Sequence, residues 1–259
     1  MVNLIRLSLV KLGKALISLG QIDNDYLDYD TESPYGIAYG ATLIREVLLR
    51  NPGIIDTIIV MDNNLHEYFS QDAVELASKL GKEIIHDNSD RLLRKNWRNF
   101  SILGKYRKWE DHLEEGNHVV LVNPTMRGNI GNVVRSCAAL GVNNIAVISE
   151  NFDSFLPEVI RTSMGTRFMV HMERFSDIQE YMERFPGNNR YAFMLDKTAE
   201  RLNSVEKKEN WTLIFGNETV GLPEEYGQLC KKVYIEIRGN VDSLNLGVAA
   251  AIGINAFTE

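Results

Sequence analysis

The chain has 259 residues, 44% of them apolar and 24% charged, with a formal net charge of −7 at neutral pH. No apolar stretch approaches the roughly 20 residues a membrane span requires. The acid excess argues against a general nucleic-acid binder, whose phosphate contacts need net positive potential. A length of this order suits one or two domains. Cys137 and Cys230 stand far apart, without CxxC spacing or a neighbouring histidine. They read as free thiols of a reducing cytoplasm rather than zinc ligands, and no metal is expected.

At the N-terminus, Met1 to Leu19 carries Arg6, Lys11 and Lys14 inside an apolar pattern and lacks a small-residue cleavage site. This predicts an amphipathic helix rather than a secretory signal. The acidic stretch Gln21 to Tyr35 predicts a loop, and Tyr39 to Leu49 has helical spacing stopped by Asn51-Pro52-Gly53. Ile54 to Met61 is a β-branched strand. Ser70 is placed to cap a helix from Gln71 to Leu80 that Gly81 ends, and Glu83 to His86 is a short strand. The alternation predicts a small α/β unit.

Arg91 to Trp109 then holds seven Lys and Arg and no acid, with Trp97, Phe100, Tyr106 and Trp109 interleaved. Two readings stand. Arg94, Lys95, Arg98, Lys105 and Arg107 meet RNA phosphates while the aromatics stack on bases, or the segment is a solvated helix whose aromatics pack between domains.

A second unit opens with a buried strand at Val119 to Val122, a helix from about Asn129 to Leu140, and a strand at Ile145 to Ile148. A helix is expected over Phe175 to Phe185, and strands at Tyr191 to Leu195, Trp211 to Phe215 and Val233 to Ile237. A short helix runs from Pro223 to Cys230, and a long apolar helix from Leu244 to Phe257. Such alternation predicts an α/β domain with a mostly parallel sheet and helices on both faces. The domains are set at 1–110, a small α/β unit, and 115–259. His66, His86, His112, His118 and His171 show no ligand spacing and read as surface or packing residues.

Three small-residue blocks follow strands of this second unit: Gly128-Asn129-Ile130-Gly131 with Arg135, Phe215-Gly216-Asn217-Glu218 with Gly221-Leu222, and Asp242-Ser243-Leu244-Asn245. Glycine lets a backbone approach a ligand closely, and Asn, Arg, Glu and Ser supply oriented polar groups beside it. The first block invites a dinucleotide-binding reading, with Glu150 near the expected ribose-binding acid, and hence an oxidoreductase. Its GxxG spacing, and the four residues Pro124 to Arg127 before the first glycine, argue against that. Arg135 in the first turns of a helix opposes the helix dipole, which fits service to a partner or substrate.

The runs NPTMRGNIGNVVRSCAALGVNNIAVI, LIFGNETVGLPEE and YIEIRGNVDSLNLGVAAAIGI resemble, in order and spacing, the three motifs of the SpoU/TrmH-type RNA methyltransferases of the SPOUT superfamily. The resemblance covers about residues 119 to 259, including RTSMGT at 161–166. Residues 36 to about 105 look more faintly like the small α/β/α substrate-binding domain of many members, which implies that the unit at 1–110 binds the RNA substrate. The resemblance implies a C-terminal trefoil knot forming an S-adenosylmethionine pocket, a homodimer through the catalytic domain, and 2′-O-methylation of rRNA or tRNA. Base or wobble-nucleotide methylation, and a non-catalytic RNA-binding relative, stand as alternatives.

Carried onto this sequence, Arg135 activates the hydroxyl by binding phosphate or stabilising the alkoxide. Asn129 and Asn245 orient ribose, cofactor and Arg135, Ser243 hydrogen-bonds within that cluster, and Glu218 holds Arg135 or the loop. Gly216, Ile235 and Leu244, with Gly221 and Leu222, cradle the cofactor. In many members the first motif reads Pro-x-Asn, whereas Thr125 to Gly128 here separate Pro124 from Asn129.

Overall fold

The computed structural model describes residues 17–18, 30–61, 68–87 and 100–259. The chain divides into two units, Met1–Trp109 and Glu110–Glu259. In the first, runs of β-branched and aromatic residues form β1 (Ile17–Ser18), β2 (Tyr35–Tyr39), β3 (Ile55–Val60), β4 (Glu83–His86) and β5 (Ile102–Arg107), in the order β1-β4-β3-β5-β2. β5 runs antiparallel to both β2 and β3, while β1 and β3 flank β4 in parallel. Helix α1 (Ala41–Arg50) buries Ala41, Leu43, Ile44, Val47 and Leu48, the stripe its 3.6-residue spacing predicts. Helix α2 (Ser70–Lys79) buries Ala73 and Ala77.

Four expectations are corrected in this unit. Ile17 and Ser18 pair as a strand with β4 rather than ending a helix. Tyr35 to Tyr39 is a strand, held by its antiparallel pairing with β5, and the Tyr106 ring lies over Gly36 so closely that a Cβ there would stand 2.3 Å from the ring. The helical reading of Arg91–Trp109 fails over 102–107, which is a strand with Tyr106 wholly buried and closed to base stacking. Ser70 does not cap α2. Its hydroxyl lies 2.7 Å from that of Ser101, and Phe69, at φ 69, begins the helix. The rest of Met1–Leu19, Gln21 to Tyr29, and Arg94, Lys95 and Arg98 lie outside the described residues.

The second unit is a seven-stranded parallel sheet in the order β10-β12-β9-β11-β6-β7-β8. Its strands are β6 (His118–Val122), β7 (Asn144–Ile148), β8 (His171–Phe175), β9 (Asn189–Phe193), β10 (Glu200–Arg201), β11 (Trp211–Phe215) and β12 (Lys231–Tyr234). β6, β7 and β11 are buried at every residue, because helices cover both faces of the sheet. Alternate side chains divide between two cores. Val119, Leu121, Val147 and Leu213 pack with α3 (Arg127–Ala139), α4 (Pro157–Thr162) and α7 (Leu246–Thr258). Val120, Val122, Ile148 and Ile214 pack with α5 (Ile178–Arg184) and α6 (Tyr226–Leu229).

The helix expected from Phe175 starts three residues later. Phe175 closes β8, and the Asp177 carboxylate caps α5 by accepting the Glu180 N–H at 2.9 Å. The strand expected at Val233–Ile237 ends at Tyr234, and the helix expected from Pro223 shrinks to four residues. His118, one of the packing histidines, sits between the Glu114 carbonyl and the Tyr181 hydroxyl, and burial holds its pKa below the usual imidazole value. Among the described residues no helix is long and apolar enough to cross a membrane.

Candidate active site

The three blocks meet beyond the carboxyl ends of β6 and β11. β6 runs out at Val122, and Asn123 turns the chain at φ 46 while donating its N–H to the Ile148 carbonyl at 2.8 Å. The Asn217 amide donates to the Asn123 carbonyl at 2.8 Å, and its oxygen accepts the Thr219 N–H at 2.8 Å. Asn217 and Gly221 also exchange main-chain hydrogen bonds of 3.2 and 2.9 Å, which folds the second block into a closed loop. A Cβ on Gly216 would lie 2.2 Å from the Gly221 carbonyl carbon, and Gly221 has φ +71. Both glycines are therefore required by the loop itself.

Glu218 projects from this loop to the start of α3, whose first N–H groups no side chain of its own block caps. One carboxylate oxygen accepts the Thr125 N–H at 3.0 Å and the Thr125 hydroxyl at 2.9 Å. The other accepts the Met126 N–H at 3.0 Å and the Asn129 amide at 3.1 Å. A carboxylate there also complements the helix dipole. Burial raises its pKa, but the hydrogen bonds from Thr125, Asn129 and Met126 outweigh that and hold it below the ordinary carboxylate value.

Asn129, only 7% exposed, passes the connection on: its oxygen accepts the Asn245 amide at 2.9 Å. Asn245 in turn caps α7, accepting the Gly247 N–H at 2.9 Å. One hydrogen-bonded chain thus runs Glu218–Asn129–Asn245 and ties all three blocks together. Gly131 has a packing role, since a Cβ there would lie 1.9 Å from the Thr162 hydroxyl on α4.

Arg135 stands apart from that chain. It is exposed on α3, roughly 9 Å along the axis and about 120° around it from Asn129. Of the two tasks expected of Glu218, holding the loop is the one its contacts perform. Arg135 lies one turn beyond Asn132, which a Cβ on Gly247 would meet at 3.0 Å, so its stripe borders α7. Ser243 is also exposed, and among the described residues its hydroxyl joins no hydrogen bond of the cluster, contrary to expectation.

Strand order sets two of the expected cradle residues, Gly216 and Ile235, one strand apart. β9 lies between β11, which leads into Gly216, and β12, which leads into Ile235. The main-chain groups of Gly216, Ile235 and Leu244 make no hydrogen bond to another described residue. Leu222 is half-buried beside them, while Gly221 is exposed. The same order reveals Leu195, whose place in the sequence suggests only the end of a strand. It emerges from β9 between Gly216 and Ile235 and is 67% exposed. An apolar residue just past a strand is its only signal. Of the basic segment, Arg107 is exposed and Lys105 holds its ammonium 4.1 Å over the Tyr35 ring.

A model of the SpoU rRNA Methylase family matches residues 116–255. The chain is similar to the 23S rRNA (guanosine(2553)-2'-O)-methyltransferase RlmP of Bacillus subtilis, 24% identical over 220 residues that make up 82% of this chain and 84% of the relative. It is 30% identical over 139 residues to a 23S rRNA (uridine(2479)-2'-O)-methyltransferase of Streptomyces viridochromogenes. That match covers 51% of this chain and 48%, about half, of that relative's length. In three dimensions it is similar to the SpoU methyltransferase AviRb from Streptomyces viridochromogenes in complex with the cofactor AdoMet, with a TM-score of 0.72, 22% identity and 93% of each chain covered. This likeness carries the fold class, the knotted α/β architecture of the SPOUT proteins. With its family model spanning more than half of its length, the chain belongs to the SpoU rRNA Methylase family.

Proposed function

We infer that this chain transfers a methyl group from S-adenosylmethionine to a ribose 2′-hydroxyl of RNA, with rRNA or tRNA as substrate. The observation that carries the reading is the Glu218–Asn129–Asn245 chain, which makes one platform of the three family motifs. Two relatives named for 2′-O-methylation of 23S rRNA support it. The residues present suit the cofactor. Open main-chain donors and acceptors at Gly216, Ile235 and Leu244 can read an adenine edge, and Leu195 and Val220, 67% and 81% exposed, supply apolar surface to cover it. When bound, that group supplies an electrophilic methyl. The protein must then activate an alcohol, a poor nucleophile at neutral pH.

Arg135 is suited to that task by its exposure, because its guanidinium offers positive charge and five donors to a phosphate or developing alkoxide. Arg135→Ala is expected to lower methyl transfer at least about 100-fold, the usual scale for removing such a stabilising donor. Titration with S-adenosylhomocysteine should still show one site per chain. Loss of both would give Arg135 a structural role instead.

The reading includes a homodimer. Helix α7 packs its inner face on the core yet leaves Val248 and Ile252, one turn apart, 48% and 39% exposed beside the Arg135 stripe. A second copy laid on this face would cover the apolar pair and bring its Arg135 close to the neighbouring site. Ile252→Asp is expected to convert a two-chain mass in light scattering to a one-chain mass and to abolish methyl transfer. A wild-type protein of one-chain mass, active at that mass, would refute the dimer. Lys105 and Arg107, next to Tyr35, support an RNA contact on the first unit. The cytoplasm is the expected compartment.

A further inference from the structure

The turn from β9 to β10 carries a closed polar clamp that takes no part in the Glu218–Asn129–Asn245 chain. One Asp196 carboxylate oxygen serves the turn itself, accepting the Thr198 N–H at 2.7 Å and the Thr198 hydroxyl at 2.8 Å. The Asp196 carbonyl accepts the Ala199 N–H at 3.0 Å. The other carboxylate oxygen accepts the Lys232 ammonium at 2.5 Å, and that ammonium also donates to the Thr198 hydroxyl at 3.2 Å. We propose that Asp196 and Lys232 are positioning residues for the cofactor, their clamp holding Leu195 out between Gly216 and Ile235. The proposal rests on the methyltransferase reading above.

Strand geometry connects the clamp to Leu195. Successive residues of an extended chain project to opposite faces. Phe193 faces α7, since a Cβ on Gly253 would meet its ring at 2.8 Å, and it stacks on Phe215 with centroids 4.4 Å apart. The Met194 N–H still donates to the Val233 carbonyl at 3.0 Å, so the ladder runs past the end of β9. Leu195 thus continues the α7 face, the one on which Ile235 packs. Asp196 takes the opposite face, where Lys232 stands in register with Ala192. Pinning Asp196 on its face fixes its neighbour on the other.

The surroundings are shaped for this clamp. Lys232 passes Gly227 of α6 so closely that a Cβ there would stand 2.4 Å from the lysine Cε and 3.2 Å from Nζ. A side chain at 227 would take the place the lysine stem now occupies. The Lys232 and Asp196 side chains are only 25% and 29% exposed. The Lys232 ammonium, with the Thr198 N–H and hydroxyl, holds the Asp196 carboxyl well below the usual carboxylate range, so the clamp keeps its charge around neutral pH. Leu195, by contrast, is 67% exposed, an apolar side chain that a loose turn would fold away from water. Held out, it meets the cofactor already ordered, and such pre-organisation raises affinity.

The test is calorimetric titration of the full chain with S-adenosylhomocysteine, beside a thermal melt. The proteins are the wild type, Lys232→Met, Gly227→Ala, Leu195→Ala and the double variant Lys232→Met with Leu195→Ala. Methionine keeps an apolar stem over Gly227 and removes the charge, whereas alanine at 227 displaces the ammonium and leaves both charged residues in place. Each single variant is expected to weaken the ligand about tenfold, the scale of ordering one or two side chains at binding. The melting temperature should change little, because a partly exposed ion pair contributes little to global stability. In turnover the loss should appear in KM for S-adenosylmethionine and not in KM for RNA.

The double variant should bind no more weakly than the weaker of its single variants, because the clamp acts through Leu195. Losses that multiply in the double variant, or wild-type affinity in both Lys232→Met and Gly227→Ala, would overturn the proposal and leave the methyltransferase reading standing. A fall in melting temperature that accounts for the lost affinity would give the clamp a structural role only. A wild type that binds no S-adenosylhomocysteine would remove the methyltransferase reading and the clamp's role with it.

Discussion

Glu218→Gln is expected to lower methyl transfer about 100-fold or more while leaving the sheet folded. The Glu218 carboxylate accepts four hydrogen bonds, from the N–H groups of Thr125 and Met126, the Thr125 hydroxyl and the Asn129 amide. Glutamine has one oxygen, and its amine would confront donors. Hydrogen bonds to a charged group contribute about 1.5–3 kcal/mol each, and an unsatisfied donor costs a similar amount. The start of α3 should therefore loosen, and Asn129 should lose the partner that orients it toward Asn245. Turnover at saturating cofactor and RNA, beside a thermal melt, checks this, and wild-type turnover would remove Glu218 from the site. The same network predicts a pH effect. Because the folded carboxyl lies below its ordinary value of 4.5, its stabilisation is complete above about pH 4.5 and disappears as pH falls through the lowered folded value.

Gly216→Ala should be comparably severe and act earlier, at cofactor binding. Its Cβ would meet the Gly221 carbonyl carbon at 2.2 Å and the Leu222 nitrogen at 2.4 Å, both main-chain atoms with no freedom to rotate away. The Asn217–Gly221 exchange would open, and the open main-chain groups of Gly216 would leave their place beside Leu195 and Ile235. S-adenosylhomocysteine affinity is expected to fall at least about 100-fold, which is about 2.7 kcal/mol, with a smaller drop in melting temperature. Unchanged affinity would show that the loop tolerates the clash and that the cradle lies elsewhere. Alanine at Gly128 makes a control, because a Cβ there meets nothing within 4 Å.

The second unit is largely legible in the sequence, because buried parallel strands announce themselves as unbroken runs such as His118–Val122 and Trp211–Phe215. β8 is not. His171-Met172-Glu173-Arg174-Phe175 mixes charged and apolar residues without a period, as suits an edge strand that sends Met172 to one core and Phe175 to the other, and its Phe175 reads as easily into the following helix. The first unit misleads more often. Gly36 inside β2 and Gly40 just after it read as turn signals, whereas pairing with β5, with the Tyr106 ring packed on Gly36, holds the segment extended. Tyr106 between Lys105 and Arg107 looks like part of an RNA surface, while period two is the true message, with Tyr106 pointing to the core and Lys105 and Arg107 away from it.

At the site, the blocks and their order can be read, and their wiring cannot. Nothing local in Glu218 says that it caps a helix 92 positions earlier. That follows from β11 lying beside β6.

Asn245 holds two posts, as the cap of α7 and as the partner of Asn129, 116 residues before it. Its side chain gains the first only when the helix forms and the second only when that helix docks. Synthesis proceeds from the other end, so a nascent chain carrying Arg135 and Glu218 has two-thirds of its motifs and no platform. The platform of three motifs is therefore joined only when α7, made after the other two motifs, docks on α3.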